Sequence, residues 1–314
     1  MPKYWLSKNI KYIISNEGNE VGGVAHSLCD YLTAYIISKI DPSFIFLHKP
    51  LETTVETRTM NVNTNPKNFW NDYLNLDELK SVYEPVNKKY KKIKFSSDYH
   101  YIEIDNLKKM NEDNTIYTIS NNNRIHLFDL YQYELSGIIK KNTTISIIND
   151  LRNIFYKKHL KLKKDKKIIN LYIRRGDHYK YRIKRNIIDT FEFEIFEYVY
   201  PKLDINNYDI NIISAGSDDE MIEIKKYFSN YKNINLLLNQ NEEEMFYLMT
   251  QSDLLMINAS GFPLTASLYC DGTIIKKKDD NGIQNVVKFK NIKFFDNYYF
   301  INNVNELNNI PLKI

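Results

Sequence analysis

The chain has 314 residues, more than one compact core usually holds, so two domains is the first expectation. Hydrophobic residues at 43%, aromatics at 14% and charged residues at 26% exclude a wholly disordered or fibrous chain. The net charge of +4, from 43 basic and 39 acidic side chains, suits an anionic small substrate and speaks against nucleic acid as the partner.

In chain order, residues 11–15 read as a short apolar strand, followed by a loop holding Gly18, Gly22 and Gly23. Residues 24–40 then place Val24, Leu28, Tyr31, Leu32, Tyr35 and Ile36 at helical spacing, and 43–47 read as a second strand. This is an open α/β beginning. Residues from about 50 to 125 are polar and Asn-rich with scattered aromatics (Phe69, Trp70, Tyr83), which predicts short helices and loops facing an acceptor. A helix over 144–160 leads into the lysine run 157–167, read as a solvated helix end and loop, where the domain boundary is set. Beyond it, apolar strands at 168–173, 210–214, 234–238, 254–257 and 273–275 alternate with helices at 188–200, 218–228, 242–250 and 262–269. That alternation predicts a parallel, doubly wound sheet covered on both faces.

Cys29 and Cys270 each sit in an apolar helical segment, which reads as two buried thiols in a reducing compartment, and two cysteines cannot build a cysteine-based metal site. No apolar stretch approaches the length of about 18 residues that a membrane span needs. The segment from Met1 to Trp5 lacks the apolar core of a signal peptide. A glycosylation sequon, Asn258-Ala259-Ser260, falls inside the expected ligand site, where a glycan would block it. Together these predict a cytoplasmic protein, the cytoplasm of a host included, with no membrane span.

Four segments at predicted strand ends carry chemistry. In Leu171-Tyr172-Ile173-Arg174-Arg175-Gly176-Asp177 a strand runs directly into two arginines, and ligands of open parallel sheets bind beyond the carboxyl ends of their strands. A guanidinium fork can hold a phosphate through two bonds, and both arginines are expected to face a ligand; the other reading is an Arg–Asp pair bracing the turn through Asp177. In Asn258-Ala259-Ser260-Gly261-Phe262-Pro263 a strand turns through small residues into a helix whose first N–H groups favour an anion, unless this is an ordinary capped turn. Gly22-Gly23-Val24-Ala25-His26 opens the first helix. Its glycines allow close backbone approach of a phosphate or sugar, and His26 is either a ligand contact or an ordinary helix residue. Ser214-Ala215-Gly216-Ser217-Asp218-Asp219 caps a helix through Ser217 or Asp218, and the aspartates either serve as caps alone or also fix the arginine loop. Of the acidic run Glu242-Glu243-Glu244, favoured by the helix dipole, one carboxylate such as Glu244 could accept the paired N–H donors of a guanine edge.

These segments, in this order, resemble the superfamily of α-1,2-, α-1,6- and protein O-fucosyltransferases. That family has a strand ending His-x-Arg-Arg-x-Asp, which stands here as Tyr172-Ile173-Arg174-Arg175-Gly176-Asp177. Its Ser-x-Asp-Asp step looks like Ser214 to Asp219, its acidic-apolar helix like Glu244 to Met249, and its Asn/Ser turn like Asn258 to Ser260. The match runs through the second half and over a short glycine loop at the start; the middle is unmatched. The resemblance implies a GT-B fold of two Rossmann-like domains with a cleft between them. Residues 1–160 would form the acceptor side and 161–314 the nucleotide-sugar side. It implies inverting, metal-independent transfer of L-fucose from GDP-fucose to a glycan or glycoprotein, with no cofactor beyond the donor. Arg174 would meet the β-phosphate, with Arg175 and Asp177 shaping the loop. Ser260 and Gly261 would reach the phosphates, and Gly23 and His26 would approach the diphosphate and sugar. The family's base-holding histidine is Tyr172 here, which leaves another activated deoxysugar, such as rhamnose, as the alternative donor. A polysaccharide pyruvyl transferase fits less well, because the 258–263 turn has no accompanying histidine. A relative that binds nucleotide or glycan without chemistry is the non-enzymatic alternative.

Overall fold

The computed structural model describes residues 11–15, 24–48, 51, 69–79, 82–83, 91–95, 110, 115–119, 127–176, 191–258, 260–277, 293–294 and 297–310. They fall into two compact units, one drawn from 1–55 and 65–158 and the other from His159 onward. Each unit is a mixed α/β structure around a parallel sheet.

The first unit holds β1 (Lys11–Ser15), α1 (Val24–Ile40), β2 (Phe44–His48), α2 (Phe69–Tyr73), β3 (Val82–Tyr83), β4 (Lys91–Phe95), β5 (Thr115–Ile119), α3 (Leu127–Leu135) and α4 (Thr143–Lys158). Its strands lie in the order β3-β2-β1-β5-β4, all parallel. The apolar spacing of α1 has the expected effect: Leu28, Tyr31, Leu32, Tyr35 and Ile36 are buried. The rings of Tyr31 and Tyr35 stand edge-on to Phe46 of β2, with centroids 5.6 and 5.5 Å away. On α4, Asp150 accepts from the Tyr35 hydroxyl at 2.6 Å and from Lys39 at 2.8 Å, which ties α1 to α4. Burial, and then the Asp150 carboxylate, push the Tyr35 hydroxyl well above its usual range, so it remains a donor.

The segment expected to be only short helices and loops contributes three strands, one of them, β5, beside β1 in the middle of this sheet. Thr115-Ile-Tyr-Thr-Ile has strand composition but is framed by polar sequence. β4, Lys91-Lys-Ile-Lys-Phe, lies at a sheet edge, where lysines discourage further pairing and also hide the strand from a hydrophobicity pattern.

The second unit holds β6 (Lys167–Tyr172), α5 (Phe191–Val199), β7 (Tyr208–Ser214), α6 (Asp218–Phe228), β8 (Ile234–Leu238), α7 (Glu242–Thr250), β9 (Leu254–Ile257), α8 (Gly261–Tyr269), β10 (Thr273–Lys277), β11 (Lys293–Phe294) and β12 (Tyr298–Ile301). Three of the four expected helices and all five expected strands agree to within two residues; α5 is described only from Phe191. The sheet order is β11-β12-β10-β9-β6-β7-β8, with β11 alone antiparallel. From β6 the chain steps outward through β7 and β8, then returns to the other side of β6 and steps outward through β9, β10 and β12. The order therefore reverses between β6 and β9, and such a switch point opens a crevice beyond the carboxyl ends of those two strands.

Alternation along the strands sorts residues onto two faces. Ile169, Leu171, Ile173, Ile210, Ile212, Leu254, Met256 and Ile275 pack with Phe191, Ile195 and Phe196 of α5 and Met221, Ile224 and Phe228 of α6. The opposite face carries α7 and α8 and includes a polar ladder that the sequence reading missed. Asn170, Asn211 and Asn235 lie side by side in register on β6, β7 and β8. Asn235 donates to Asn211 at 3.0 Å, and Asn211 to Asn170 at 2.8 Å. Asn170 donates at 2.7 Å both to the Leu248 carbonyl of α7 and to Ser252 Oγ. A one-residue slip of β6 or β7 would leave the buried amides of Asn170 and Asn211 without partners, so the ladder fixes the register of the strands that aim the site.

Candidate functional site

The Ile173 N–H extends the β6–β7 ladder one residue past the strand, bonding the Ile213 carbonyl at 2.9 Å. The alternation continues with it and sends two neighbouring arginines to opposite faces. Arg174 follows Tyr172 onto the α7/α8 side, is partly exposed, and donates from Nη1 to Ser260 Oγ at 2.6 Å. Arg175 follows Ile173 to the α5 side and is only 6% exposed. Its guanidinium lies 5.5 Å from the centroid of Phe193, and its Nη1 donates to the Arg174 carbonyl at 3.0 Å. The expectation that both arginines face a ligand is therefore corrected: Arg175 braces the loop from beneath, through packing as well as charge.

After Arg175 the chain turns at Gly176, whose φ of 83° lies in the left-handed region that favours glycine. Its N–H reaches the Glu220 carboxylate at 3.2 and 3.3 Å, and the Ser217 N–H bonds the same carboxylate at 2.7 Å. Glu220 is 6% exposed on the first turn of α6, with Ser217 as N-cap. The approach is close enough that a Cβ on Gly216 would overlap Glu220 and stand 2.9 Å from Arg175 Cβ. Asp218 and Asp219, read as capping residues with fixing of the arginine loop as the alternative, stand exposed at the helix start. The tie is Glu220, and the Ser217-Asp-Asp-Glu220 spacing of a capping box was its signal in the sequence.

Across the switch point, β9 delivers Asn258 and Ser260, which are 3% and 2% exposed. Asn258 Oδ1 accepts the Ser260 N–H at 3.1 Å, and its amide group donates to the buried carboxylate of Glu192 on α5. The sequon asparagine is therefore a structural strut, inaccessible in the folded chain. Ser260 is the N-cap of α8, yet its hydroxyl is turned to Arg174 instead of the helix N–H groups. The first turn of α8, with Gly261, Phe262 and Pro263, contains no acidic residue. A guanidinium and the positive end of a helix dipole thus share one place, an arrangement that a bound anion stabilises.

Tyr172 is buried beside this place, its ring centroid 6.3 Å from Phe262, which in turn lies 5.8 Å from Phe246. Glu244 is exposed on α7. Its neighbour Glu242 is more enclosed; burial, and then the Glu243 charge, raise its carboxyl above the ordinary range. Gly22, Gly23 and Asp177 lie outside the described residues, as does the side chain of His26. The structure therefore brings together Arg174, Asn258, Ser260, Gly261, Phe262 and Tyr172, with Arg175 and Glu220 supporting them. Among the described residues, no group of three or more His, Cys, Asp or Glu stands together to hold a metal ion, and no helix is long and apolar enough to cross a membrane.

No protein-family model matches this chain, and no curated protein matches it.

Proposed function

We propose that this chain is an inverting glycosyltransferase that binds the diphosphate of a nucleotide sugar at the ends of β6 and β9, with GDP-fucose as donor and a glycan or glycoprotein as acceptor. The observation that carries the proposal is the Arg174–Ser260 pair, a cation at the acid-free start of α8, at the point where the strand order reverses.

In this reading the acceptor hydroxyl attacks the anomeric carbon from the face opposite the diphosphate. The new C–O bond forms as the bond to the β-phosphate oxygen breaks, and the electron pair leaves with the diphosphate. Arg174 and the first N–H groups of α8 meet that growing charge in the position a divalent cation occupies in metal-dependent transferases. The acceptor proton passes to a general base, for which His26 and a carboxylate of the 50–125 segment are the candidates. Arg175, Gly176 and Glu220 hold Arg174 in place, so the charge-stabilising group needs little rearrangement on reaction.

The burial of Tyr172 against Phe262 favours a second donor class as an alternative. Where the fucosyltransferases have a base-holding histidine, this chain has a ring engaged in apolar packing. That suits a nucleotide held mainly through its phosphates, and so an activated deoxysugar on another base.

A donor panel with GDP-fucose, dTDP-rhamnose and a UDP-sugar, in EDTA, tests the proposal by release of nucleoside diphosphate, because transferases slowly hydrolyse their own donor. Release from one donor, unchanged by chelator, is the expected result. Release that appears only when a divalent cation is added rejects metal-independent transfer. Nucleotide binding without any release favours a binding relative.

A further inference from the structure

The lysines of the run 157–167 are exposed, several of them in surface pairs, but the loop between α4 and β6 adds something a charge run lacks. Leu160 is 81% exposed and Leu162 41% exposed, and Leu160 is the most exposed large hydrophobic residue among those described. The loop that carries them is pinned to the second unit. The Tyr247 hydroxyl donates to the Leu160 carbonyl, and the Leu162 N–H donates to Gln251 Oε1 at 3.0 Å. Lys164 donates to the Gln251 carbonyl and to Asp253 at 3.0 Å, and Lys161 pairs with Asp271. These bonds hold the backbone of both leucines, and their side chains face water. Lys163, Lys166 and Lys167 stand exposed on the same loop and the strand start.

We propose that this loop docks the protein on an anionic phospholipid bilayer. Leu160 and Leu162 would enter the boundary between headgroups and acyl chains, and Lys163 and Lys166 would lie against the anionic headgroups. Charge complementarity selects the occupant. Lysines favour any polyanion, but fixed, water-exposed leucines gain nothing from a sugar-phosphate backbone, whereas a lipid surface removes them from water. An apolar contact and a basic patch reinforce one another at such a surface.

The test is flotation of the full-length chain with vesicles of phosphatidylcholine alone or mixed with phosphatidylserine. Binding to the mixed vesicles only, weakening as salt rises, is expected. Leu160→Ser should weaken it about tenfold, from the lost apolar burial. The double variant Lys163→Glu with Lys166→Glu should weaken it on the order of 25-fold or more, at about fivefold per lysine removed. Both variants should keep the wild-type melting temperature. Absence of binding to the mixed vesicles overturns the proposal. So does binding that the Leu160→Ser variant retains in full, which would mark a simple polyanion patch.

Discussion

Arg174→Ala is expected to lower turnover by about 100-fold or more while leaving the melting temperature nearly unchanged, because removing one preorganised donor to a developing oxyanion costs roughly that much. The split between activity and stability follows from the geometry. Arg174 is partly exposed, and its hydrogen bond to Ser260 Oγ is one that water can replace at little cost to the fold. The diphosphate, by contrast, would lose the fixed cation nearest the breaking bond. Arg174→Lys should recover only part of the activity, since an ammonium keeps the charge but not the planar fork. Steady-state release of nucleoside diphosphate, read beside thermal unfolding, checks both halves. Turnover within a few fold of wild type for the alanine variant would remove Arg174 from the mechanism.

Glu220→Ala is expected to do the reverse first and the same second: it should unfold the second unit early, and activity should fail with the loop. The carboxylate is 6% exposed and takes N–H bonds from both Gly176 and Ser217, so its removal leaves two half-buried donors without their acceptor. Hydrogen bonds to a charged group are worth about 1.5–3 kcal/mol each, so a loss of roughly 3 kcal/mol is a conservative expectation. For a unit of this size that corresponds to a fall in melting temperature of about 6–12 °C. Glu220→Gln keeps one acceptor and should lose less. Calorimetric melting of both variants checks the order, and a Glu220→Ala protein as stable as wild type would show that the loop is held elsewhere.

The second unit was legible because its strands are short apolar runs and its helices follow at regular intervals; α6, α7, β8 and β9 begin and end where periodicity sets them. The site was legible to the level of segments, since a ligand-binding edge is where polar residues interrupt that pattern. What periodicity alone did not convey was which way each residue turns. Arg174 and Arg175 are identical in type and adjacent, and the pleat separates them onto opposite faces, one toward Ser260 and one toward Phe193. Glu220 was overlooked for the two aspartates before it, although only the third helical position can reach back to the N-cap N–H. The asparagine ladder needed three strands in register before its members could be recognised as partners. In the first unit, the lysines of β4 concealed a strand because an edge has to repel pairing as well as permit it.

The most direct measurement is a titration of wild-type protein and of Arg174→Met with GDP in EDTA, with UDP and dTDP in parallel. Wild type should bind one of the three nucleotides without a divalent cation, and the variant should bind the same nucleotide at least about tenfold more weakly, the loss of a charge-assisted contact. Equal affinity in the two proteins, or binding that requires added magnesium, would contradict a diphosphate held by Arg174 at the start of α8.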